Sequence, residues 1–298
     1  MRHPKYLVIA ALACLLVGAV ARGDTIYLSV DISSIITVTP DGSTSTFATG
    51  LGGTECFAFD ASGNLYVANY GNGYGNGVIN KVAPDGTVAA FATGLTTPMG
   101  LAFDRSGDLY VSEYGPGAIC KITPDGSITT FASGLDFPMG LAFDAGGNLY
   151  AANIANGTIS EVTPGGTVSQ FASSLGDPAS LAFDVAGNLY VNNPSGGSII
   201  KIAPDGTRST FATGLSHPGG LAFDSAGDLF VTDGTDPTTF TGGAVTEITP
   251  DGTVSPFLTG LIFPGYIAIQ TPEPSSLALL SLGALGLTAR RRRFRRKP

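Results

Sequence analysis

The chain has 298 residues, of which 43% are hydrophobic and 13% charged, with 42 Gly and 19 Pro. A positive mean hydropathy of +0.27 excludes an intrinsically disordered chain, which would be poor in apolar residues. The net charge of −8 is unevenly spread: residues 22–271 hold 22 acidic and six basic residues, whereas residues 272–298 hold one acidic and seven basic. The acidic body excludes nucleic acid or an anionic membrane surface as its main partner.

The first 21 residues have the three parts of a secretory signal peptide. Arg2 and Lys5 form a positive start, residues 6–20 form an apolar run, and residues 19–21 read Ala-Val-Ala, an A-x-A cleavage signal. A membrane-spanning helix is the alternative, but the apolar run is shorter than the roughly 20 residues that a span needs. The pattern therefore predicts a signal peptide over 1–21 and passage through the Sec translocon.

Residues 22–271 repeat one sequence pattern six times, which indicates a repeat architecture. A line GLAFD-xxG-[ND]-LYV alternates with a line xPDGT, and each PDG-type position is followed 19 residues later by an AFD-type end. The PDG-type positions are Asp41, Asp85, Asp125, Gly165, Asp205 and Asp251, and the AFD-type ends are Asp60, Asp104, Asp144, Asp184, Asp224 and Gln270.

Each repeat predicts four antiparallel strands. The runs LAFD, NLYVAN, IxKITP and TxxTFATG are rich in β-branched and aromatic residues and are bounded by turn residues. The D-x-x-G-N and P-D-G joints are typical of tight hairpins, because Pro presets φ, Asp bonds its own backbone and Gly supplies a positive φ. Four strands in about 40 residues, repeated along the chain, predict an all-β, six-bladed β-propeller.

The two ends of the repeat region predict how the ring closes. Residues 24–28 align with the second strand of a blade, so the first blade lacks an inner strand, whereas residues 265–270 form an inner strand without a blade of its own. We therefore expect the C-terminal strand to complete the first blade. Such a 1+3 closure removes exposed sheet edges.

The residue that ends each second strand is polar in five of the six blades: Asn69, Glu113, Asn153, Asn193 and Asp233. We expect these side chains to form a ring at the mouth of the central channel. Glu55 joins them, at the start of an inner strand where the other blades carry Met, Ala or Gly. The alternative is that each Asn or Asp only caps its own turn.

The two longest loops between second and third strands, 69–77 and 233–243, are expected on the same face as this ring. Because loops carry function more often than the scaffold does, this is the candidate binding face. The alternative is neutral insertion at a tolerant site.

The line P-x-GLAFD…GNLYVA(N/D)…I-x-K(I/V)xPDG resembles the NHL repeat and the gluconolactonase-like (regucalcin-like) propellers, and more loosely the streptogramin lyases. The resemblance spans about residues 22–270 and implies the fold, but propellers host many activities. The gluconolactonase-like family uses a Glu/Asn/Asp metal site. Its nearest matches here, Glu55, Asn153, Asn193 and Asp233, would offer the oxygen ligands that suit Ca²⁺.

His217 is the only histidine after the signal peptide. Streptogramin-lyase-like chemistry would need more than one His or Glu partner, so a lone histidine favours a solvated loop residue. Cys56 and Cys120 fall on different blades, out of disulfide reach, and are expected to be buried thiols. The sequence has no P-loop, GxSxG, HExxH or zinc-ligand spacing.

Residues 272–298 combine a Pro-Glu-Pro motif, an apolar segment over 277–289 and a basic cluster. At 1.5 Å per residue the apolar segment is about 20 Å long, short of the roughly 30 Å hydrocarbon core. The basic cluster would stay on the cytoplasmic side. The residues that carry this pattern are Pro272, Glu273, Pro274, Arg290, Arg291, Arg292 and Arg293.

This order of features resembles the PEP-CTERM sorting signal of Gram-negative bacteria. The resemblance implies transient anchoring in the inner membrane, removal of the tail by an exosortase, which is a membrane protease, and transfer to the cell surface or extracellular matrix. A plain tail anchor and a nucleic-acid-binding basic run are the alternatives. A basic run directly after an apolar segment usually signals topology, which disfavours nucleic acid.

The chain is thus expected to comprise a signal peptide (1–21), a propeller (22–271) and a sorting segment (272–298). The first hypothesis is an exported, non-catalytic propeller that binds a protein, a glycan or a small molecule at the cell surface or in the matrix. The second is a Ca²⁺-dependent, lactonase-like hydrolase with its site in the central channel, Glu55 and Asp233 among the metal ligands and water as the nucleophile.

Overall fold

The computed structural model describes residues 23–30, 33–71, 75–234 and 242–271. The predicted signal peptide and sorting segment, and parts of the two long loops, lie outside these residues. The described chain forms 24 strands in six four-stranded antiparallel sheets, which confirms the predicted propeller. In the same part of the chain, no helix has the length and apolar character to cross a membrane.

Each sheet is one blade, and its strands follow in chain order except in blade 1. Blade 1 contains β1 Thr25–Ser29, β2 Ile35–Val38, β3 Thr44–Ala48 and β24 Ile267–Gln270; blade 2 contains β4 Thr54–Phe59, β5 Leu65–Asn69, β6 Gly77–Val82 and β7 Val88–Leu95; blade 3 contains β8 Pro98–Phe103, β9 Leu109–Glu113, β10 Ala118–Ile122 and β11 Ile128–Ser133. Blade 4 contains β12 Pro138–Phe143, β13 Leu149–Asn153, β14 Thr158–Val162 and β15 Val168–Ala172; blade 5 contains β16 Leu181–Phe183, β17 Leu189–Asn193, β18 Ser198–Ile202 and β19 Arg208–Thr213; blade 6 contains β20 Pro218–Phe223, β21 Leu229–Asp233, β22 Gly243–Ile248 and β23 Val254–Leu261.

The ring closes through β24, which pairs antiparallel with β1 as the sequence predicts. Thr25 lies opposite Gln270 in this register, and the Tyr27 hydroxyl donates to the Gln270 side chain at 3.1 Å. The N- and C-terminal strands therefore stabilise each other within one blade, so unfolding either end opens the ring.

The two ends of the ring are built differently. The turn face, as we call it, carries the hairpins after the inner strands and the P-D-G turns. There the Gly42 N–H donates to Thr39 O at 2.8 Å, with Gly42 at a φ of 78°, and Asp41 accepts the N–H of Ser43. The mouth face, at the opposite end, carries the loops between second and third strands and the loops between blades.

The core lies between neighbouring blades. At five of the six interfaces a tyrosine from a second strand meets two phenylalanines edge-on: Tyr110, for example, lies 4.9 Å from Phe131 and 5.1 Å from Phe143 between ring centroids. At the interface of blades 6 and 1, Phe230 replaces the tyrosine and meets Phe257. Such ring pairs contribute about 0.5–1.5 kcal/mol each beyond their buried area, so the repeat stabilises every interface in the same way.

Candidate functional site at the channel mouth

Polar side chains end the second strands at the mouth face, and their hydrogen bonds show what they hold. Asp233 Oδ1 accepts the backbone N–H groups of Ser216 at 2.9 Å and His217 at 2.7 Å. Glu113 Oε2 accepts the N–H of Thr96 at 2.8 Å. Each carboxylate therefore ties its second strand to the loop that leads into its own blade.

The three asparagines of the expected ring lie at equivalent positions. Asn69 Nδ2 donates to Leu51 O at 3.2 Å, and Asn153 Oδ1 accepts the N–H of Asp136 at 3.4 Å. Asn193 differs, because its Oδ1 is buried without a hydrogen-bond partner. Four of the five ring residues thus brace an inter-blade loop, and only Asn69 also caps its own turn, by accepting the N–H of Gly71.

The residue directly before the last residue of a second strand forms hydrogen bonds to the neighbouring blade. The sequence analysis did not predict these bonds. Ser112 Oγ accepts the N–H of Gly100 at 2.7 Å and donates to Met139 O in the next blade at 2.6 Å. Thr232 Oγ1 makes the same pair of bonds in blade 6, both at 2.7 Å. The sequence feature that could have revealed these bonds is a Ser, Asn or Thr inside an otherwise apolar strand.

A β-bulge near the start of the inner strand sets which residues face away from the ladder. In blade 2 the pairing with the second strand skips Glu55 and Cys56, and the same irregularity occurs in blades 3, 4 and 6. Bulges re-aim side chains, often next to binding sites. The first skipped position is Glu55 in blade 2, and its equivalents are Met99, Met139, Ala179, Gly219 and Gly265.

A cavity of about 310 Å³ opens at the mouth face, lined by blades 4, 5, 6 and 1. Small residues make the room, because Ala179, Gly219 and Gly265 hold the position that Glu55 and Met99 hold in blades 2 and 3. The wall is largely apolar, and its larger side chains are Met139, Ile154, Asp177, Pro194, His217 and Tyr266. We call this space the mouth cavity.

Glu55 and Tyr266 are ionisable groups whose side chains make no hydrogen bond within the described residues. Burial raises the pKa of the Glu55 carboxyl to about 7. Burial, followed by the nearby Cys56 and Glu55, raises the pKa of Tyr266 well above its usual value. Tyr266 lines the mouth cavity, whereas Glu55 is not among the residues that line it.

His217 is exposed and lies at the rim of the mouth cavity. Its backbone is held on both sides, because its N–H donates to Asp233 and its carbonyl accepts the N–H of Gly234 at 2.9 Å. The imidazole makes no hydrogen bond to another described residue. The structure thus places the expected loop histidine beside a cavity that the sequence did not predict.

Cys56 and Cys120 are free thiols, as expected, but both are only partly buried, so the prediction of buried thiols is wrong in degree. Burial still raises the pKa of each thiol to about 11, so both remain protonated at neutral pH.

The four residues expected to hold Ca²⁺ differ in how their oxygens are used. Glu55 and the Oδ1 of Asn193 have no hydrogen-bond partner, whereas Asn153 and Asp233 accept backbone N–H groups. Across the described ranges, no group of three or more His, Cys, Asp or Glu is arranged to hold a metal ion. The assignment of these four residues to a metal site stays a prediction.

A larger cavity, about 570 Å³, lies at the turn face between blades 3 and 4, against Tyr110, Phe131 and Phe143. A groove of about 250 Å³ occupies the same place between blades 4 and 5. Since the position repeats from blade to blade, these spaces follow from blade packing and not from features of one blade. The mouth cavity, in contrast, depends on residues that differ between blades.

Six four-stranded blades closed by the C-terminal strand, with a cavity at the channel mouth, define a six-bladed β-propeller. The family model of the virginiamycin B lyase family matches residues 72–260, and the chain belongs to this family. A PEP-CTERM protein-sorting motif matches residues 270–293. This motif marks the protein for export to the envelope or surface of a Gram-negative bacterium through an exosortase.

Solved structures share the fold at low sequence identity. A streptogramin B lyase has a TM-score of 0.64 at 17% identity, with 82% of this chain and 83% of that chain covered. A catalytically inactive virginiamycin B lyase from Staphylococcus aureus with quinupristin has a TM-score of 0.60 at 16% identity, with 82% and 87% covered. A chain of a nidogen/laminin complex has a TM-score of 0.70 at 19% identity, with 83% and 98% covered.

Identities this low show the fold alone, and the fold occurs both in lyases and in a protein–protein complex. The comparison with curated proteins gave no match. The gluconolactonase-like resemblance is not specifically supported by these findings and stays a prediction.

Proposed function

We propose that this protein is an exported, non-catalytic β-propeller that binds a ligand through its mouth face at the cell surface or in the extracellular matrix. Export is supported by the sorting motif over 270–293. The Sec translocon and an exosortase are the partners of export, with the tail transiently anchored in the inner membrane and then removed. The ligand would be a protein, a glycan or a small molecule.

One observation carries the non-catalytic part of the proposal. Two carboxylates at the mouth face that a hydrolase or lyase could use as acids or bases instead hold inter-blade loops: Glu113 with Thr96, and Asp233 with Ser216 and His217. The His217 imidazole has no carboxylate partner among the described residues to orient it, and a general base needs such geometry. A cavity with a fixed rim and no acid–base pair among the described residues supports binding.

Retention in the matrix tests the proposal. Phe137→Ala removes an exposed aromatic ring at the mouth face, and Ile128→Ala removes an exposed apolar side chain at the turn face as a matched control. We expect the first variant to be exported normally but released into the medium, and the second to be retained like the wild type. Equal retention of both variants would argue against a ligand at the mouth face.

The sorting step has a separate test. Deletion of residues 277–298 removes the apolar segment and the basic cluster while leaving the closing strand β24 intact. We expect the deleted protein to lose its membrane-associated precursor and its surface location. An unchanged mature form at an unchanged location would show that the tail does not act as a sorting signal.

The alternative function is a metal-dependent hydrolase of lactone-like substrates, or a lyase as in the relatives of the family. It is favoured by the unengaged Glu55 carboxyl beside the channel. Calorimetric titration with Ca²⁺ of the wild type, Glu55→Ala and Asp233→Ala separates the two functions. The binding proposal predicts no Ca²⁺ signal that depends on these residues and no turnover of lactones or of quinupristin, the compound present with one lyase of similar fold. Metal-dependent ring opening that is lost in both variants would establish the alternative.

A further inference from the structure

Four carboxylates lie together at the turn face, where the N-terminal strand of blade 1 meets blade 6. Asp24, the residue before β1, is fully buried, and its Oδ2 accepts the N–H of Ser225 in the blade 6 hairpin at 2.8 Å. The same hairpin carries Asp224 and Asp228, and Asp224 Oδ1 accepts the N–H of Asp228 at 2.9 Å. Glu247 on β22 is the fourth. We call Asp24, Asp224, Asp228 and Glu247 the closure cluster.

Glu247 stands where three other blades carry a lysine. It pairs across the strands with the aromatic residue of blade 6, as Lys121 does with that of blade 3. Lys121 Nζ reaches Asp108, the equivalent of Asp228, at 2.7 Å. The position of Glu247 therefore brings its carboxyl toward that of Asp228. Burial, followed by Asp228 and Asp224, raises the pKa of Glu247, which agrees with this placement.

The closure cluster contains a buried oxygen without a partner. Asp24 Oδ1 is shielded from solvent and accepts no hydrogen bond, and Glu247 is only 7% exposed. A buried carboxylate beside other carboxylates is costly unless a positive charge pairs with it and donates hydrogen bonds. The arrangement therefore points to a cationic occupant.

The geometry of the closure cluster favours an organic cation over a metal ion. Within the described ranges, no group of three or more His, Cys, Asp or Glu is arranged to hold a metal ion, so the four carboxylates do not share one coordination sphere. An ammonium or guanidinium group has no such requirement, because it donates several hydrogen bonds in different directions to separate oxygens.

The chain itself brings such a cation within reach. Arg22, which lies outside the described residues, precedes Asp24 by two positions, and two residues span at most about 7 Å. At the predicted cleavage signal, hydrolysis of the Ala21–Arg22 peptide bond consumes one water and leaves a free α-amino group on Arg22, which is largely protonated at pH 7. The mature N-terminus would then carry two positive charges, the α-ammonium and the guanidinium.

We propose that the closure cluster binds the mature N-terminus, with the α-ammonium and guanidinium groups of Arg22 directed to Asp24 and Glu247. The proposal rests on the proposed function through its export step, in which the signal peptide is removed. Asp24 already ties blade 1 to blade 6, and β1 pairs with the C-terminal strand. The docked N-terminus would therefore strengthen the closure of the ring in the processed protein alone, because the precursor has no α-ammonium at Arg22.

The reactivity of the Arg22 α-amino group tests the proposal. Protein purified from cells that express the full chain is treated with acetic anhydride at pH 7, and acetylation of the N-terminal peptide is followed by mass spectrometry. A docked α-ammonium holds its proton more tightly, and a rise of one pKa unit lowers the reactive fraction about tenfold. We expect the wild type to react about tenfold more slowly than Glu247→Gln. Equal rates would overturn the proposal.

Glu161→Gln is the matched control. Glu161 holds the same position in blade 4 as Glu247 in blade 6, but Asn148 stands there in place of Asp228. This variant should leave the α-amino group as slow to react as in the wild type. Glu247→Lys supplies the cluster with the lysine of the other blades and should release the N-terminus. Slow acetylation that persists in Glu247→Lys would contradict a charge-dependent site.

Melting temperatures test the guanidinium separately. Arg22→Gln should lower the melting temperature of the mature wild type by about 2–4 °C and leave that of Glu247→Lys unchanged, because the lysine already pairs with the cluster. This comparison requires only that each parent protein folds, which its own melting curve shows. The same decrease in both backgrounds would mean that Arg22 does not act on the closure cluster.

Three further outcomes are decisive. If Ca²⁺ raises the melting temperature of the wild type but not of Glu247→Gln, and the α-amino group reacts freely, a metal ion occupies the cluster and the proposal is wrong. If the protein is exported and retained in the matrix while Arg22 reacts at the full rate, the docking fails and the proposed function stands. Exported protein that still carries residues 1–21 would contradict both the docking and the proposed export step.

Discussion

Carboxylates at the two faces of the propeller have different structural roles. At the turn face, the aspartates of the P-D-G turns accept N–H and hydroxyl groups two residues away, as Asp125 does with Thr123 and Ser127. At the mouth face, carboxylates such as Glu113 and Asp233 reach residues 16 or 17 positions away in the preceding loop. The turn face is therefore determined locally and repeats, whereas the mouth face depends on the fold and differs from blade to blade.

The largest expected effect comes from the close approach of inner strands around the channel. A Cβ built on Gly100 would lie 2.1 Å from the carbonyl oxygen of Met139 in the next blade. Gly100→Ala should therefore lower the free energy of unfolding by about 3 kcal/mol, because backbone has to move. Urea denaturation followed by circular dichroism measures this loss. A change below 1 kcal/mol would show that the ring can widen there without strain.

The pH dependence of stability should differ between the faces. The pKa of Glu55 is raised from its ordinary value of 4.5 to about 7 by burial, so the folded state binds its proton more tightly than the unfolded state. This contribution to stability is present below pH 4.5 and is lost as the pH rises through 7. Glu55→Gln should equal the wild type near pH 4.5 and exceed it by up to about 3 kcal/mol at pH 8.

Asp125, at the turn face, should make stability depend on pH in the opposite direction. Its pKa is lowered from 3.8, chiefly by the hydroxyl of Thr123 and then by Ser127, so its contribution is present above pH 3.8 and is lost on acidification. Melting temperatures of the wild type, Glu55→Gln and Asp125→Asn between pH 3 and 8 test both directions. Parallel curves for all three proteins would mean that neither carboxyl titrates differently on folding.

The next effect concerns hydroxyls that join strands. Thr232→Val removes the group that accepts the N–H of Gly220 and donates to Gly265 O, both in the channel wall. Buried groups that lose their partners cost about 1–3 kcal/mol, so we expect a loss of about 2 kcal/mol. Thr123→Val, its counterpart in an exposed turn, should cost about 0.5 kcal/mol or less. Equal losses would contradict the distinction between the two faces.

The smallest expected effect on stability comes from restoring the Asp of the turn at Gly165. Gly165 stands where all five other turns have the Asp of Pro-Asp-Gly. A Cβ there would meet nothing closer than Thr163 Oγ1 at 3.9 Å. Gly165→Asp should raise the free energy of unfolding by about 0.5 kcal/mol, because it restricts the unfolded chain and supplies the turn's acceptor. Thermal denaturation would reveal a loss of stability if the turn of blade 4 differs from the others.

Sequence reasoning predicted the scaffold well because the repeat encodes it locally. The 19-residue spacing predicted six blades, and the inner strand over 265–270 without a blade of its own predicted how they close. The pairing of β24 with β1 confirms this closure. The bonds made by Ser112 and Thr232 were missed, since their partners belong to a neighbouring blade and no spacing within one repeat reveals them.

The sequence by itself determined the fold, the closure of the ring, the C-terminal sorting motif and the acidic character of the body, because each depends on patterns within one repeat or at one end. Only the tertiary structure decided which side chains share the channel mouth. Glu55, Tyr266 and His217 are separated by at least 49 residues in the chain, and the ring brings them to one end of the channel. That convergence is a property of six blades around one axis, where the small residues of blades 5, 6 and 1 leave a cavity that no single repeat contains.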